Sequence, residues 1–470
     1  MAVRAALRRR QRATVPARLR LLRTATALLA TALTALLLVA GLGALGTWDT
    51  VADCDAPRTS SAAGLGLALN DMDAQAANML LSSGNAGEGR LGTPYEKAVG
   101  LYDDARRDIA HALRTLAVAA QGDQADEKTV ESLTDGFAEY QELVGRALEN
   151  DGRKGGKADA LADHRGATDL LQRRLLPAAR TLVSSNNDTF EAHYTLARAI
   201  LTAQLAAVVA LGLLLLAVLG VLQWYLARRF RRILNPGVLA ATACALLAVI
   251  LGGQLLSASS EHLRGARRDA FDSIVALSRA RAIAHDANAD ESRYLLAPER
   301  RDRYERAFLA KSQELYGIEG ATISSYDTDL ATTWQAYESD NADLRFTGEF
   351  RRELDNITFA GERAAAERTV EAYAVYRRDD RTIRDLLARG REGAAVEFGI
   401  SWEPGMSGGH FGEWMAALDE VTDINREHFA ASVRDGRSTL GGLLRWACGL
   451  LSAALLLTVL GLRPRLAEFR

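Results

Sequence analysis

The densest group of polar side chains falls within residues 279–294, where the alanine and arginine content favours a helix. Helical spacing places Asp286, Asp290 and Arg293 on one side of that helix and turns Asn288 away from them. An arginine on a bundle helix can hold a ligand carboxylate through two parallel hydrogen bonds. The stretch is therefore a candidate ligand or partner surface, and the alternative is a solvated face crosslinked by its own salt bridges. Its candidate residues are Arg279, Asp286, Asn288, Asp290 and Arg293.

A second candidate is the glycine-rich segment 402–414, which combines aromatic side chains with a histidine. Its glycines and proline predict a loop between two helices. Aromatic side chains exposed on a loop would form a docking surface for a partner protein. The alternative is that the loop folds back and its aromatic residues cap the bundle. The candidate residues are Trp402, His410, Phe411 and Trp414.

No arrangement typical of catalysis or metal binding accompanies these segments in the sequence. The seven histidines are scattered, and no pair has the spacing of metal ligands. The run Asp286-Ala-Asn288-Ala-Asp290 copies the start of a calcium loop, but Glu291 and Ala297 stand where that loop needs glycine and glutamate. We therefore expect a protein without enzymatic activity, metal or cofactor.

Four long apolar segments predict membrane-spanning helices, because about 20 apolar residues suffice to cross a bilayer as a helix. The fourth contains Arg445, which lies near its end and can extend its guanidinium to the interface. The chain is thus predicted to be a multipass protein of the cell membrane, in contact with membrane lipid. The expected spans are residues 24–47, 200–224, 237–256 and 440–462.

The distribution of arginine predicts the orientation, since short arginine-rich segments stay on the cytoplasmic side. Residues 1–23, 225–236 and 463–470 are such segments, and they form a leader, a loop and a tail with both termini inside. Residues 48–199 and 257–439 are then extracytoplasmic. The formal net charge of −2 gives no reason to expect a nucleic-acid partner.

The two outer regions are predicted to be helical bundles. Apolar residues recur every three or four positions, as at Leu101, Ala105 and Ile109. Polar breaks at residues 83–92, 121–126 and 151–157 divide the first region into four helices. Because the chain must return to the membrane, an antiparallel up-and-down bundle is the simplest arrangement. Residues 317–361 are an addition to the second region. Their aromatic side chains could contact lipid headgroups or the first region, although packing within the bundle is favoured.

Four short matches in the same order indicate that a span–bundle–span unit is duplicated, unless alanine-rich helices merely share a composition. The predicted fold class is therefore all-α, with four transmembrane helices plus two extracytoplasmic antiparallel helical bundles. The matches pair Asp71-Met-Asp73-Ala74 with Asp286-Ala-Asn288-Ala289, Tyr95-Glu-Lys-Ala98 with Tyr304-Glu-Arg-Ala307, Phe137-Ala-Glu-Tyr140 with Tyr373-Ala-Val-Tyr376, and Asn186 and Phe190 with Asn425 and Phe429.

These residues also resemble known families. In topology, and in the Asn-x-x-x-Phe pattern of the last bundle helix, the bundles resemble the four-helix-bundle sensor domains of bacterial chemoreceptors. The segment from Asp286 to Leu296, with the span arrangement, resembles an actinobacterial four-span membrane protein encoded beside a glutamine/glutamate-binding lipoprotein and protein kinase G. That resemblance implies that the lipoprotein binds aspartate or glutamate outside, the membrane protein relays its occupancy, and the kinase acts inside. Direct chemoreceptor function is not expected, because no cytoplasmic signalling domain follows the last span.

The resemblance leads us to expect a non-enzymatic membrane signal relay for extracellular aspartate, glutamate or glutamine. Its expected partners are a solute-binding lipoprotein and a cytoplasmic serine/threonine kinase, and an oligomer is compatible with this role. The alternative is a structural envelope scaffold without a sensing role. A transporter is disfavoured, because the spans offer few polar residues beyond Gln204, Gln254 and Arg445.

Overall fold

Helices account for most of the computed structural model, which describes residues 2–83, 92–230 and 235–467. Those ranges contain no β-strand, and the all-α prediction is confirmed. Most of the predicted break at residues 83–92 lies outside the described residues. So do three of the arginines on which the predicted orientation rests, namely Arg231, Arg232 and Arg470.

In the first half, a long N-terminal helix leads through a π-helical turn at Thr50–Asp55 into the bundle helices. A second π-helical turn, Leu171–Leu175, joins the last two helices of this half. The helices are α1 (Ala2–Asp49), α2 (Ala56–Ser82), α3 (Gly92–Ala119), α4 (Gln124–Asp151), α5 (Lys157–Leu170) and α6 (Leu176–Phe230).

The second half repeats this plan, with a π-helical turn at Gly265–Phe271 after its first helix. Its added segment forms two short helices before the long ones resume. The helices are α7 (Pro236–Arg264), α8 (Asp272–Leu296), α9 (Arg301–Leu315), α10 (Tyr326–Ser339), α11 (Glu349–Asp355), α12 (Glu362–Ala388), α13 (Glu392–Ile400) and α14 (Ser407–Ala467).

Four helical stretches are long and apolar enough to cross a membrane, which confirms the prediction of four candidate spans. Each of them joins an apolar run to a polar run along one continuous stretch of helix. They are Ala17–Ser82, Lys157–Arg228, Pro236–Leu296 and Ser407–Arg463.

The chain divides into two compact units. The span unit comprises residues 1–52, 191–266 and 430–470, and the bundle unit comprises residues 53–190 and 267–429. Both predicted outer regions thus lie in one unit, in which each region has an apolar core of its own.

Small residues let the helices of the span unit approach closely. A Cβ atom on Gly237 would lie 2.9 Å from the Cα atom of Gly461, so the backbones of α7 and α14 approach too closely here for a larger residue. Asn235 caps the N-terminus of α7, where its side-chain oxygen accepts a hydrogen bond from the Gly237 N–H at 3.0 Å. The same side chain donates to the Gly461 carbonyl at 3.0 Å, which ties the start of α7 to α14.

In the bundle unit, the core of the first region forms from apolar stripes with helical spacing. Ala105, Ile109 and Leu116 of α3 are buried against α2 and α4, as their spacing predicts. Asp123 caps α4 by accepting hydrogen bonds from the N–H groups of Ala125 and Asp126. The predicted breaks after α3 and α4 coincide with the observed helix ends.

The core of the second region is rich in aromatic residues. Trp334, Tyr337, Phe346 and Phe350 of the added segment 317–361 are buried in it. The added segment therefore packs within its own bundle, as the favoured alternative predicted.

Candidate functional site

The helices α2 and α8 pack along each other and bring the two halves of the predicted duplication into contact. The Asn70 amide donates a hydrogen bond to the Ala282 carbonyl at 3.2 Å. Further along, the Ser292 hydroxyl donates to the Asn78 side-chain oxygen at 2.7 Å. Residues 72–80 of α2 and 284–293 of α8 are buried throughout, a pattern typical of helices enclosed by others.

Arg293 lies at the centre of this contact and joins the carboxylates of both halves. Its Nε and Nη2 atoms donate to Asp73 Oδ2 at 2.9 and 2.6 Å, and its Nη1 donates to Asp290 Oδ1 at 2.5 Å. All three side chains are at most 1 % exposed. Charge-assisted hydrogen bonds of this kind offset the free energy lost when ions leave water.

Lys311 of α9 supplies the second cation of the cluster. Its Nζ atom lies 2.7 Å from Asp286 Oδ1, in an ion pair without the alignment of a directed hydrogen bond. It also donates to the Asp290 side chain and, at 3.1 Å, to the Asp286 carbonyl. We call Asp73, Asp286, Asp290, Arg293 and Lys311 the charge cluster. It holds three carboxylates and two cations, so its formal charge is negative when all are ionised.

Neutral donors from the first bundle complete the coordination of Asp73. The Tyr140 hydroxyl donates to Asp73 Oδ1 at 2.8 Å, and the Thr168 hydroxyl donates at 3.3 Å. Burial and the negative charge of Asp73 raise the pKa of Tyr140, so its proton stays in this bond. The Asp73 carboxylate of α2 therefore links α4 and α5 to α8.

The three carboxyl groups differ in their acidity. Burial is the largest influence on Asp73 and opposes its ionisation, but the charges of Arg293 and His164 and the hydrogen bonds from Arg293 and Tyr140 together outweigh it, and the pKa of Asp73 is lowered. Burial likewise opposes ionisation of Asp286, and Lys311, Arg293 and Arg180 together lower its pKa. At Asp290 burial prevails and the pKa is raised. Asp290 is therefore the carboxyl group of the cluster whose surroundings favour a proton.

The interpretation of residues 279–294 as a solvated face is wrong, although Arg293 does form ion pairs with Asp286 and Asp290 of the same helix. One side of the helix does carry Asp286, Asp290 and Arg293, but that side is buried by packing against α2. A single sequence does not show which helix packs on that side. Asn288 is buried outside the charge cluster. Arg279 is exposed and its guanidinium lies 3.6 Å from Glu349. Among the described residues, no group of His, Cys, Asp and Glu side chains could hold a metal ion.

The interpretation of segment 402–414 as an exposed docking loop is wrong for its last two aromatic residues. Helix α14 begins at Ser407, so Phe411 and Trp414 lie on a helix and are at most 1 % exposed. Their rings contact Tyr376 in the aromatic core. Trp402 is half-buried, and His410 Nδ1 lies 2.7 Å from Asp379 Oδ2. The segment therefore caps the bundle, which was the alternative.

A cavity of about 450 Å³ opens beside the charge cluster, between α2, α6, α8 and α9. Small and aliphatic side chains form much of its wall, among them Ala179, Val183, Val275 and Ile283. Five ionisable side chains also line it, and two of them belong to the charge cluster. They are Arg180, Arg279, Asp286, Lys311 and Glu314.

Two buried glutamates, Glu353 and Glu362, lie close together in the second bundle. Glu362 accepts hydrogen bonds from the N–H groups of Thr358 and Phe359 at 2.7 and 2.9 Å, and from the Asn425 side chain at 2.7 Å. Neither carboxyl oxygen of Glu353 has a hydrogen-bond partner of good geometry among the described residues. Burial, reinforced by the charge of Glu362, raises the pKa of Glu353 to about 8.

Comparison with known proteins bears on the first bundle. Residues 47–195 match the family described as the actinobacterial sensor domain. The matched segment contains α2 to α5 and the beginning of α6, and thus Asp73 and Tyr140 of the site. No curated protein matched the chain. No solved structure matched it either.

Several residues of the site were not predicted from the sequence. In the sequence, Asp73 stands out only as part of the repeated segment, where it aligns with Asn288. Tyr140 stands in the same repeat alignment, but nothing local marks it as a partner of Asp73, which lies 67 residues away. Lys311 carries no sequence signal, because it reaches Asp290 from the next helix. Glu353 lies in the added segment 317–361, which is assigned only to packing, and Glu362 directly follows that segment.

Proposed function

We propose that this chain is a non-enzymatic membrane signal relay whose bundle unit senses a small solute outside the cell. The observation that carries the proposal is the match of residues 47–195 to an actinobacterial sensor domain. Four candidate spans support a multipass membrane location. The arginine-rich segments 1–23, 225–236 and 463–470 support cytoplasmic termini and an extracytoplasmic bundle unit.

Continuous helices would carry the signal. Each candidate span is continuous along the chain with bundle residues, and a small slide or tilt of a bundle helix would pass into the span that adjoins it in sequence. The arginine-rich segments would then be presented differently to a cytoplasmic partner. By the family resemblance, we propose a solute-binding lipoprotein as the outer partner, a serine/threonine kinase as the inner one, and aspartate, glutamate or glutamine as the signal.

The orientation is tested first, with reporters that are active on one side of the membrane only. Insertion at Gly155, between α4 and α5, and at Asn341, between α10 and α11, should give extracytoplasmic activity, because both positions are exposed turns of the bundle unit. A fusion after Arg470 should report the cytosol. Cytosolic activity at either internal position would refute the orientation and the relay with it.

The sensing role is tested with a deletion strain. Growth on external aspartate, glutamate or glutamine should change on deletion, and an affinity-tagged chain should retain a lipoprotein and a kinase from solubilised membranes. An unchanged growth response would refute the relay. A defect of equal size under all nitrogen conditions would instead favour the envelope scaffold.

A further inference from the structure

We infer that the cavity between α2, α6, α8 and α9 is a binding site for a free α-amino acid, held in its zwitterionic form by this chain itself. The inference rests on the proposed sensing function and adds a direct ligand site to it. The cavity volume of about 450 Å³ lies within the range of roughly 300 to 1,000 Å³ that is usual for small-molecule sites.

Two charges in the cavity wall have no ion-pair partner among the described residues. Arg180 projects from α6 and Glu314 from α9, and both side chains are exposed. The other charged residues of the wall are engaged, since Lys311 binds Asp286 and Arg279 lies near Glu349. A guanidinium binds a carboxylate through two parallel bonds, and a carboxylate binds an ammonium. One unpaired charge of each sign therefore suits a ligand that carries both charges.

A buried polar group in the wall points to the same chemistry. Asn70 is 4 % exposed and lines the cavity, and its amide nitrogen donates a hydrogen bond to the Ala282 carbonyl. Its side-chain oxygen has no donor among the described residues. A buried acceptor without a partner destabilises the protein by roughly 1 to 3 kcal/mol. A ligand ammonium, with three donors, could serve both this oxygen and Glu314.

The apolar part of the wall would accommodate the side chain of the ligand. Ala179 and Val183 of α6 face the cavity together with Val275 and Ile283 of α8. Burying an apolar ligand side chain against such a wall would stabilise the complex. A dicarboxylate or a simple amine could use only one of the two unpaired charges.

Binding at this position would be coupled to the charge cluster. Asp286 and Lys311 belong to the cavity wall and to the charge cluster alike. The wall also combines α2 and α6 of the first region with α8 and α9 of the second. An occupied site would thus stabilise the contact between the two halves of the bundle unit, by mass action on the state that binds.

The experiment measures binding to the full chain in lipid nanodiscs by calorimetry, with each protein L-amino acid in turn. For any amino acid that binds, the N-acetyl derivative lacks the ammonium and the α-amide lacks the carboxylate. Each derivative should bind at least about tenfold more weakly. Arg180→Gln should weaken binding of the amino acid by a similar factor but leave the affinity for its α-amide unchanged. Glu314→Gln should weaken binding of the amino acid but leave the affinity for the N-acetyl derivative unchanged.

A matched control is Arg173→Gln, which removes an exposed arginine near the end of α5 that lies outside the cavity wall. It should leave the affinity unchanged. The inference is overturned if no amino acid binds the wild-type chain, if either cavity variant binds as tightly as wild type, or if a derivative lacking one charge binds equally well.

The outcome is separable from that of the proposed function. A growth response that depends on the chain but not on Arg180 or Glu314, together with no binding in nanodiscs, would refute this site and leave the lipoprotein route intact. Binding with the expected charge dependence, in a strain whose growth response survives deletion, would refute the relay and leave the site.

Discussion

Replacing Glu353 by glutamine should stabilise the bundle unit at alkaline pH. Glu353 is 3 % exposed on α11, and its pKa is raised by burial and by the charge of Glu362 from the ordinary value of 4.5 to about 8. Because one pKa unit corresponds to about 1.4 kcal/mol, this difference destabilises the folded state by up to about 5 kcal/mol once Glu353 is ionised. Glutamine has nearly the same shape and carries no charge.

The sign of the pH dependence follows from the two pKa values. Below pH 4.5 the group holds its proton in both states and does not affect the free energy of unfolding. Between pH 4.5 and about 8 the unfolded chain loses the proton while the folded chain keeps it, so stability falls as pH rises. The advantage of Glu353→Gln should therefore be near zero in acid, grow across this window, and level off above it.

The assay is thermal unfolding of the full chain in detergent at a series of pH values, followed by circular dichroism. At pH 8.5 the melting temperature of the variant should exceed that of wild type by up to roughly 10 to 20 °C, since about 1 kcal/mol shifts it by roughly 2 to 4 °C in a domain of a few hundred residues. Glu349→Gln is the matched control on the same helix. It breaks a contact of 2.8 Å with the exposed Arg352 and should not stabilise the chain. A Glu353→Gln variant that is equally or less stable than wild type at every pH would show that Glu353 is ionised and well solvated in the folded protein.

Three further substitutions test the packing described above, each by the same unfolding assay. Arg293→Met should destabilise the bundle unit by about 3 to 5 kcal/mol, because it leaves the buried Asp73 carboxylate without its cation and leaves Asp290 with Lys311 alone. A loss below about 1 kcal/mol would contradict the buried ion pairs. Tyr140→Phe removes the hydrogen bond of 2.8 Å to Asp73 and should cost about 1.5 to 3 kcal/mol, and no measurable change would show that water replaces the hydroxyl. Trp414→Ala should cost about 3 to 5 kcal/mol as a core substitution, whereas loss of partner binding without loss of stability would restore the docking-loop interpretation.

The elements of this fold that local physics determines could be predicted from the sequence. The spans follow from apolar length, and the stripe of Ala105 and Ile109 follows from helical spacing. The start of α14 was missed for a local reason as well. Gly408 and Gly409 suggest a loop, yet they lie in the first turn of the helix, so Phe411 and Trp414 point into the core instead of to solvent.

Only part of the charge cluster could be predicted from the sequence, because its residues come from separate regions of the chain. Helical spacing predicts that Asp286, Asp290 and Arg293 share a side, but it cannot state what covers that side. From composition alone, the polar face of a helix is expected to be exposed to water. The covering helix supplies Asp73, 220 residues away from Arg293 along the chain, and only the fold brings the two together.

A signal for this burial was nevertheless present in the spacing of alanine. In α2, Ala74 and Ala77 interrupt the polar run, and in α8, Ala289 does the same; all three are buried, and none of them belongs to the apolar core of either region. Larger apolar residues at these positions would hold the helices apart, beyond the reach of the 2.6 Å contact between Arg293 and Asp73. Alanine alternating with acids, amides and one arginine thus describes two helices that meet closely through their polar sides. Enlarging Ala289 to leucine would separate those sides without removing any charge, and it should destabilise the bundle unit by about 1 to 3 kcal/mol through overpacking alone. If Ala289→Leu left the unfolding temperature unchanged, close approach of the helices would not be what permits the cluster, and the alanine spacing would carry no such meaning.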